Sequence, residues 1–230
     1  MIKKNQKKIS LNLFEKIAWE KKLYCCGIDE VGRGCLAGPL LTACVILPIN
    51  TQNNLLKDSK KLTKAQRETA YNWIIKNCFY STAISCNQTI DKLNIYQATL
   101  KTMNQALTNI FAHNYVTVKK IKYILIDAMP LKINNFYKHE NLEILYFNYG
   151  ETISQSIAAA SIVAKVTRDN LMEKIDQIFP NFGLKSHKGY ASNEHCNAIK
   201  SFESTIIHRK TFVKNILWDK DESTKQQNIF

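Results

Sequence analysis

Gly27-Ile28-Asp29-Glu30-Val31-Gly32-Arg33-Gly34 is the stretch on which the reading of this chain turns. It sets two adjacent acids beside a short glycine–arginine–glycine loop. Neighbouring carboxylates repel and resist ionising together unless a cation or solvent compensates them. Ile28 and Val31 bracket the pair, so this is not an ordinary solvated acidic run. Glycine lacks the Cβ that would hold a ligand away, so the loop can bring backbone N–H groups close to one. Acids suited to a metal, next to a loop suited to a phosphate or a sugar, point to phosphodiester chemistry.

Outward from there, Tyr24 to Val31 and Leu40 to Leu47 read as two strands joined by the glycine-rich turn. Neighbours on a regular strand face opposite sides. Asp29 and Glu30 can therefore serve one site only if the strand twists, bulges or ends there, and the glycines supply an ending. Upstream, residues 1–22 form a charged lead-in with a short helix around Leu13 to Trp19. Downstream, Leu56 to Leu62 is a basic loop. Thr63 then caps a helix to about Asn77, with Gln66 completing a capping box. Phe79 to Ser85 is strand-like. Asn94 to Ala112 is a helix with Ile95, Thr99, Met103, Ala106, Leu107 and Ile110 on one face. Lys122 to Asp127 and Leu142 to Phe147 are strands, and Ser154 to about Ile178 is a helix rich in Ala and Ser. Helices continue after Asn193, and residues 219–230 read as a loose polar tail. A hairpin-like pair of strands followed by alternating strands and helices argues for an α/β domain with a mixed sheet over residues 23–218.

Composition narrows the function. The formal net charge is +13, from 32 Lys and Arg against 19 Asp and Glu. Only four of these cations are arginines, Arg33, Arg67, Arg168 and Arg209, so lysine point charges make most of the field. Such a surface attracts polyanions, nucleic acid before an anionic membrane; on charge alone, a lysine-rich composition without a partner is the alternative. Seven cysteines without a Cys-x-x-Cys spacing give neither a zinc site nor a disulfide framework. The basic start, Met1 to Lys8, lacks an apolar segment behind it, and the apolar run Cys35 to Ile49 is broken by Pro39 and Pro48. A cytoplasmic protein with no membrane span is expected, and nothing demands more than a monomer.

Two further acids stand at telling places. Asp127 closes the apolar strand Tyr123-Ile124-Leu125-Ile126-Asp127, and carboxyl ends of strands are where ligands gather in α/β folds. Taken alone it is equally a strand-end turn residue. Asp169 shares a helix face with Ala158, Ile162 and Lys165, and small residues along that helix permit close approach to a sheet. Its alternative is an ordinary surface ion pair with Lys165. Should Asp29, Glu30, Asp127 and Asp169 converge, they would form an all-oxygen site for hard cations such as Mg²⁺ or Mn²⁺. Two ions about 3.5–4 Å apart would suit an in-line displacement at phosphorus. A nucleic-acid binder without catalysis is the competing class, yet clustered negative charge gives a binder of polyanions nothing. No Gly-Lys-Ser/Thr phosphate loop is present, which argues against an NTPase.

The ordered blocks GIDEVGRGCLAGPL (27–40), DSKKL (58–62), NIYQATL (94–100), LIDA (125–128), SIAAASIVAKVTRD (156–169), HKGY (187–190) and HRKTF (208–212) resemble ribonuclease HII. The resemblance covers Tyr24 to about Phe212. It implies a ribonuclease H-like mixed five-stranded sheet flanked by helices, with a helical C-terminal part. It implies an endoribonuclease that hydrolyses the RNA strand of RNA–DNA hybrids and cuts at ribonucleotides embedded in duplex DNA. Two Mg²⁺ or Mn²⁺ ions would assist, leaving 5′-phosphate and 3′-hydroxyl ends, in the service of DNA replication and repair. Matching residue by residue, Asp29, Glu30, Asp127 and Asp169 take the place of the family's catalytic, metal-binding carboxylates. Gly32, Arg33 and Gly34 match its loop for the 2′-hydroxyl, the group that tells RNA from DNA. Tyr190 matches the tyrosine that packs on the sugar beside the junction. Lys60 and Lys61 match a basic loop for the phosphate backbone, and Lys165 resembles the family's helix lysine. His187 and His208 lie in family motifs, where packing or hydrogen bonding is their expected role. Three positions depart from the pattern: Ala128 stands where glycine is usual, Glu151 where aspartate is usual, and Thr211 where serine is usual. The related ribonuclease HIII usually lacks the loop arginine and carries an extra N-terminal domain, so Arg33 and the short lead-in favour HII. The final Gln226-Gln227-Asn228-Ile229-Phe230 resembles segments that dock on replication sliding clamps, with a loose terminus as the alternative.

Overall fold

The computed structural model describes residues 10–113, 119–131 and 142–217; the tail segment 226–230 lies outside them. The chain divides into two compact units. One comprises Met1–Glu30, Thr42–Ala83 and Met103–Val166, the other Val31–Leu41, Ile84–Thr102 and Thr167–Phe230.

The first unit is organised by a mixed five-stranded sheet. Its strands are β1 (Tyr24–Val31), β2 (Leu40–Ile46), β3 (Phe79–Ser85), β4 (Ile121–Asp127) and β5 (Glu143–Phe147), in the spatial order β3-β2-β1-β4-β5. β1 pairs parallel with β4, and β4 with β5. Parallel strands covered on both faces read as continuous apolar runs. β4 is one such strand, buried at Ile121 and from Tyr123 to Ile126; β2, inside the sheet between β3 and β1, is buried along its whole length.

Helix α1 (Leu13–Glu20) lays Ala18 against Cys25, Tyr123, Leu125 and Ile157, and the Phe14 ring meets Tyr123 edge-on at 5.5 Å. It also holds the start of the long helix α5 (Gln155–Ile178). Asn12 exchanges hydrogen bonds with the Gln155 side chain and backbone, at 2.8 and 2.9 Å. The buried Glu15 carboxylate accepts from the Ser154 hydroxyl and, at 3.1 Å, from the Ser156 N–H. An acid here satisfies helix-end donors and complements the positive end of the dipole. α5 starts hard against β1. A Cβ on Gly27 would lie 2.1 Å from the Ser156 carbonyl carbon, and Ala158, Ala159 and Ala160 are fully buried. Helix α2 (Lys64–Asn77) opens with the expected capping box of Thr63 and Gln66.

The second unit contains the glycine turn, helix α3 (Asn87–Leu93), the first part of α4 (Ile95–His113), the last part of α5, the short α6 (Leu184–His187), α7 (Asn193–Phe202) and α8 (residues 210–217). Leu36, Ala37, Met172, Phe182, Leu184, Ile199 and Val213 form its main core. Leu40, Ile90 and Ala98 form a second, with Ile95 and Phe212 against it. The sequence reading does not include α3. It spans seven residues and its N-cap, Cys86, makes no side-chain cap bond, so no start signal precedes it. Of the helical face read for α4, Thr99, Met103, Ala106, Leu107 and Ile110 are buried and Ile95 is half-buried. Among the described residues no helix is long and apolar enough to cross a membrane.

Candidate active site

Asp29 and Asp127 reach the carboxyl ends of neighbouring parallel strands. The β1–β4 register runs to Ile28 opposite Ile126, and one further step puts Asp29 beside Asp127. Asp29 is only 9% exposed. Burial pushes its acid well above the usual carboxylate range, and the charges of Glu30 and Asp127 push it further. Two bonds oppose this, one from the Ser161 hydroxyl and one from the Glu30 N–H, which donates to Asp29 Oδ1 at 2.7 Å. Asp127 Oδ1 accepts from the Gly150 N–H at 2.9 Å. The strand therefore presents Asp29 to the charges of Glu30 and Asp127 together.

Glu151 follows directly on Gly150. Burial pushes its acid up, the charges of Asp127 and Asp58 add to this, and Lys60 counters it. Its Oε2 is buried without a hydrogen-bond partner. The basic loop is thus folded toward the acids. Asp58 accepts from the Lys60 N–H at 2.9 Å, and the Ser59 hydroxyl meets the Ser161 hydroxyl at 3.0 Å. Lys60 and Lys61 are exposed and Lys165 is half-buried. Ser161 is a positioning residue that the sequence reading passes over. It lies in the run of small residues on α5, and its only sequence signal is a hydroxyl where Ala would pack as well.

Ala128, the departure from glycine, has φ 52°. It forms a one-residue turn in which the Met129 N–H bonds back to the Asp127 carbonyl at 2.8 Å. The left-handed region explains why glycine suits this position, and Ala bears the steric penalty of its Cβ.

In the second unit, Gly32 ends β1 with φ 93°, and a Cβ there would lie 2.4 Å from Arg168 Nε. Arg33 is half-buried and Gly34 exposed. The loop leads to an antiparallel bridge between Cys35 and Tyr190. The Tyr190 ring is 39% exposed, with the Arg168 guanidinium 5.8 Å from its centroid. Burial pushes the Tyr190 phenol up, and Asp169 is near enough for its charge to add to this. The loop, Tyr190 and Asp169 therefore share one neighbourhood. His195 Nδ1 lies 2.9 Å from the Tyr190 carbonyl, and His195 Nε2 lies 3.3 Å from His208 Nε2. His187 stacks on His195 at 4.5 Å. These histidines pack and hydrogen-bond, as expected of His187 and His208. Arg168 and Arg209 lie fully buried beneath the same loops.

The donor set at the strand ends is all oxygen, which suits a hard divalent cation. The raised Asp29 acid and the orphaned Glu151 Oε2 are what uncompensated carboxylates show. Among the described residues no three His, Cys, Asp or Glu side chains are gathered closely enough to hold an ion as they stand.

The chain as a whole resembles known proteins. A family model described as Ribonuclease HII matches residues 26–218. The ribonuclease HII of Clostridioides difficile (strain 630) is 38% identical over 219 residues, covering 94% of this chain and 81% of that protein. That of Enterococcus faecalis (strain ATCC 700802 / V583) is 43% identical over 205 residues, covering 88% and 74%. Among solved structures, ribonuclease H2 from Pyrococcus horikoshii OT3 superposes with a TM-score of 0.67 at 23% identity, covering 86% of this chain and 99% of that one. The ribonuclease HII of the Archaeoglobus fulgidus PCNA complex gives 0.60 at 27% identity, covering 84% and 96%. With its mixed sheet, ordered motifs and strand-end carboxylates, the chain belongs to the ribonuclease HII family.

Proposed function

We propose that this protein is a metal-dependent endoribonuclease that cuts the RNA strand of RNA–DNA hybrids and also cuts at single ribonucleotides in duplex DNA. The carrying observation is Asp29, at a strand end, with its acid raised first by burial and then by the charges of Glu30 and Asp127. A carboxylate kept in so unfavourable a setting has a use that a structural acid lacks. Asp29, Glu30 and Asp127 would hold Mg²⁺ or Mn²⁺, and the ribonuclease HII motif adds Asp169 to the set. Two such ions, when bound, supply an activated water and neutralise charge on the phosphate and leaving oxygen. In-line attack at phosphorus would leave 5′-phosphate and 3′-hydroxyl ends.

The chain's own groups do the rest. Ser161 and the Glu30 N–H hold the Asp29 carboxylate, and the Gly150 N–H holds Asp127. Lys60, Lys61 and Lys165 meet the phosphate backbone as point charges. Gly32, Arg33 and Gly34 contact the 2′-hydroxyl, and the Tyr190 ring packs on the neighbouring sugar. The Archaeoglobus relative was solved in complex with PCNA, which supports a sliding clamp as a partner of this chain; residues 226–230 are the segment proposed to bind it.

The test is cleavage of a labelled DNA duplex carrying one ribonucleotide, and of a hybrid, with Mg²⁺, Mn²⁺ or chelator. Cutting with either ion and none with chelator is expected, as is a loss of several orders of magnitude in Asp29→Asn. No cutting with either ion, or full activity in Asp29→Asn, would overturn the proposal.

A further inference from the structure

We propose that Arg209 is a positioning residue for ribose selectivity, because its buried guanidinium fixes the peptide planes of the Gly32-Arg33-Gly34 loop. The inference rests on the function proposed above. It concerns a side chain that is fully buried.

The Arg209 guanidinium donates to main-chain oxygens. Nη2 donates to the Gly32 carbonyl at 2.6 Å and Nη1 to the Arg33 carbonyl at 2.8 Å. Nε and Nη2 both donate to the Gly38 carbonyl, at 3.2 and 3.0 Å. Arg168 does the same for the adjoining segments, with the Pro39 and Lys188 carbonyls each at 2.9 Å and the Ala37 carbonyl at 3.3 Å. Burial pushes the Arg209 guanidinium down to about 10, so it remains a cation at neutral pH. Burying a cation is expensive unless its donors are well met. Here the turn's own carbonyls meet them, so the loop cannot rotate without exposing that cost.

The consequence follows from peptide geometry. In a trans peptide the C=O and the following N–H point in opposite directions. Drawing the Gly32 and Arg33 carbonyls onto Arg209 turns the N–H groups of Arg33 and Gly34 the other way, away from the guanidinium. The cation also polarises those peptides, which strengthens them as donors on the far side. Two such donors side by side suit an electron-rich oxygen, and a ribose 2′-hydroxyl offers one where deoxyribose does not. Gly34 is exposed, and a Cβ there would meet nothing within 4 Å, so that side of the loop has room for a sugar.

Lysine at this position keeps the charge but loses the planar fork that spans several carbonyls. The test measures binding of two duplexes in Ca²⁺ by fluorescence anisotropy, one all-DNA and one with a single ribonucleotide. In Arg209→Lys, preference for the ribonucleotide duplex should fall about tenfold, the worth of one or two such hydrogen bonds, with all-DNA affinity changed less than twofold. A merely structural role would weaken both duplexes alike, and either that result or an unchanged preference overturns the inference. Should the variant fail to fold, the wild-type protein decides. Backbone amide resonances of Arg33 and Gly34 should shift with the ribonucleotide duplex and not with all-DNA; equal shifts, or none, overturn it. Wild-type cleavage in Mn²⁺ separates the two ideas: its absence sinks the proposed function, whereas cleavage with unchanged preference in Arg209→Lys sinks only this inference.

Discussion

Gly27→Ala is a stringent test of how the strand and helix at the centre of the first unit are joined. A Cβ at Gly27 would lie 2.1 Å from the carbonyl carbon of Ser156, 2.2 Å from its oxygen and 2.4 Å from the Ile157 nitrogen. All three are backbone atoms, so no side-chain rotation relieves the overlap. Ordinary contact begins near 3.4 Å, so the start of α5 must withdraw from β1 by more than 1 Å. It is not free to do so. Glu15 holds the Ser156 N–H and the Ser154 hydroxyl, and Asn12 holds Gln155. Overpacking of a rigid contact costs about 1–3 kcal/mol, and each buried polar group pulled off its partner adds about 1–3 kcal/mol. We expect a loss of about 3–5 kcal/mol, a fall in Tm of about 10 °C for a chain of this size. Urea unfolding followed by circular dichroism reads this directly. A variant within about 0.5 kcal/mol of the parent would refute the reasoning and show that α5 has slack against β1.

Ala128→Gly should stabilise the protein by about 0.5–1 kcal/mol, because the relief of a Cβ at φ 52° exceeds the entropy glycine adds to the unfolded chain; a destabilised variant in urea unfolding would contradict it. At low pH the histidine chain behaves as a reservoir of acid sensitivity. Burial pushes His208 down to about 4, and burial lowers His195 too, whereas both rings take a proton near 6.5 when unfolded. The unfolded state therefore binds more protons between about pH 6.5 and 4, so the stability tied to their neutral rings is present above 6.5 and is lost as pH falls toward 4. Ring chemical shifts of His208 should remain those of a neutral imidazole at pH 5, and a cationic shift there would refute the assignment.

Much of this molecule was legible in its sequence, for identifiable reasons. β1 and β3 have the bounds that their patterns indicate, and α2 starts where the Thr63–Gln66 box places it, because these signals act within a few residues. The approach of Asp29 to Asp127 followed from a rule about strand ends rather than from local pattern. What stayed hidden acts over long separations. Nothing near Arg209 shows that its guanidinium will hold carbonyls more than 170 residues upstream. Ser161 looks like another small residue on a packed helix until its hydroxyl is seen at Asp29. The turn at Ala128 is concealed because the residue present is one that its own φ disfavours.

The central claim is that Asp29 and Asp127 grip a divalent cation, and crystals soaked in Mn²⁺ test it most directly. Anomalous difference density should show an ion about 2.1 Å from carboxylate oxygens of both residues. Density fully accounted for elsewhere, with none between Asp29 and Asp127 at saturating Mn²⁺, would contradict the account.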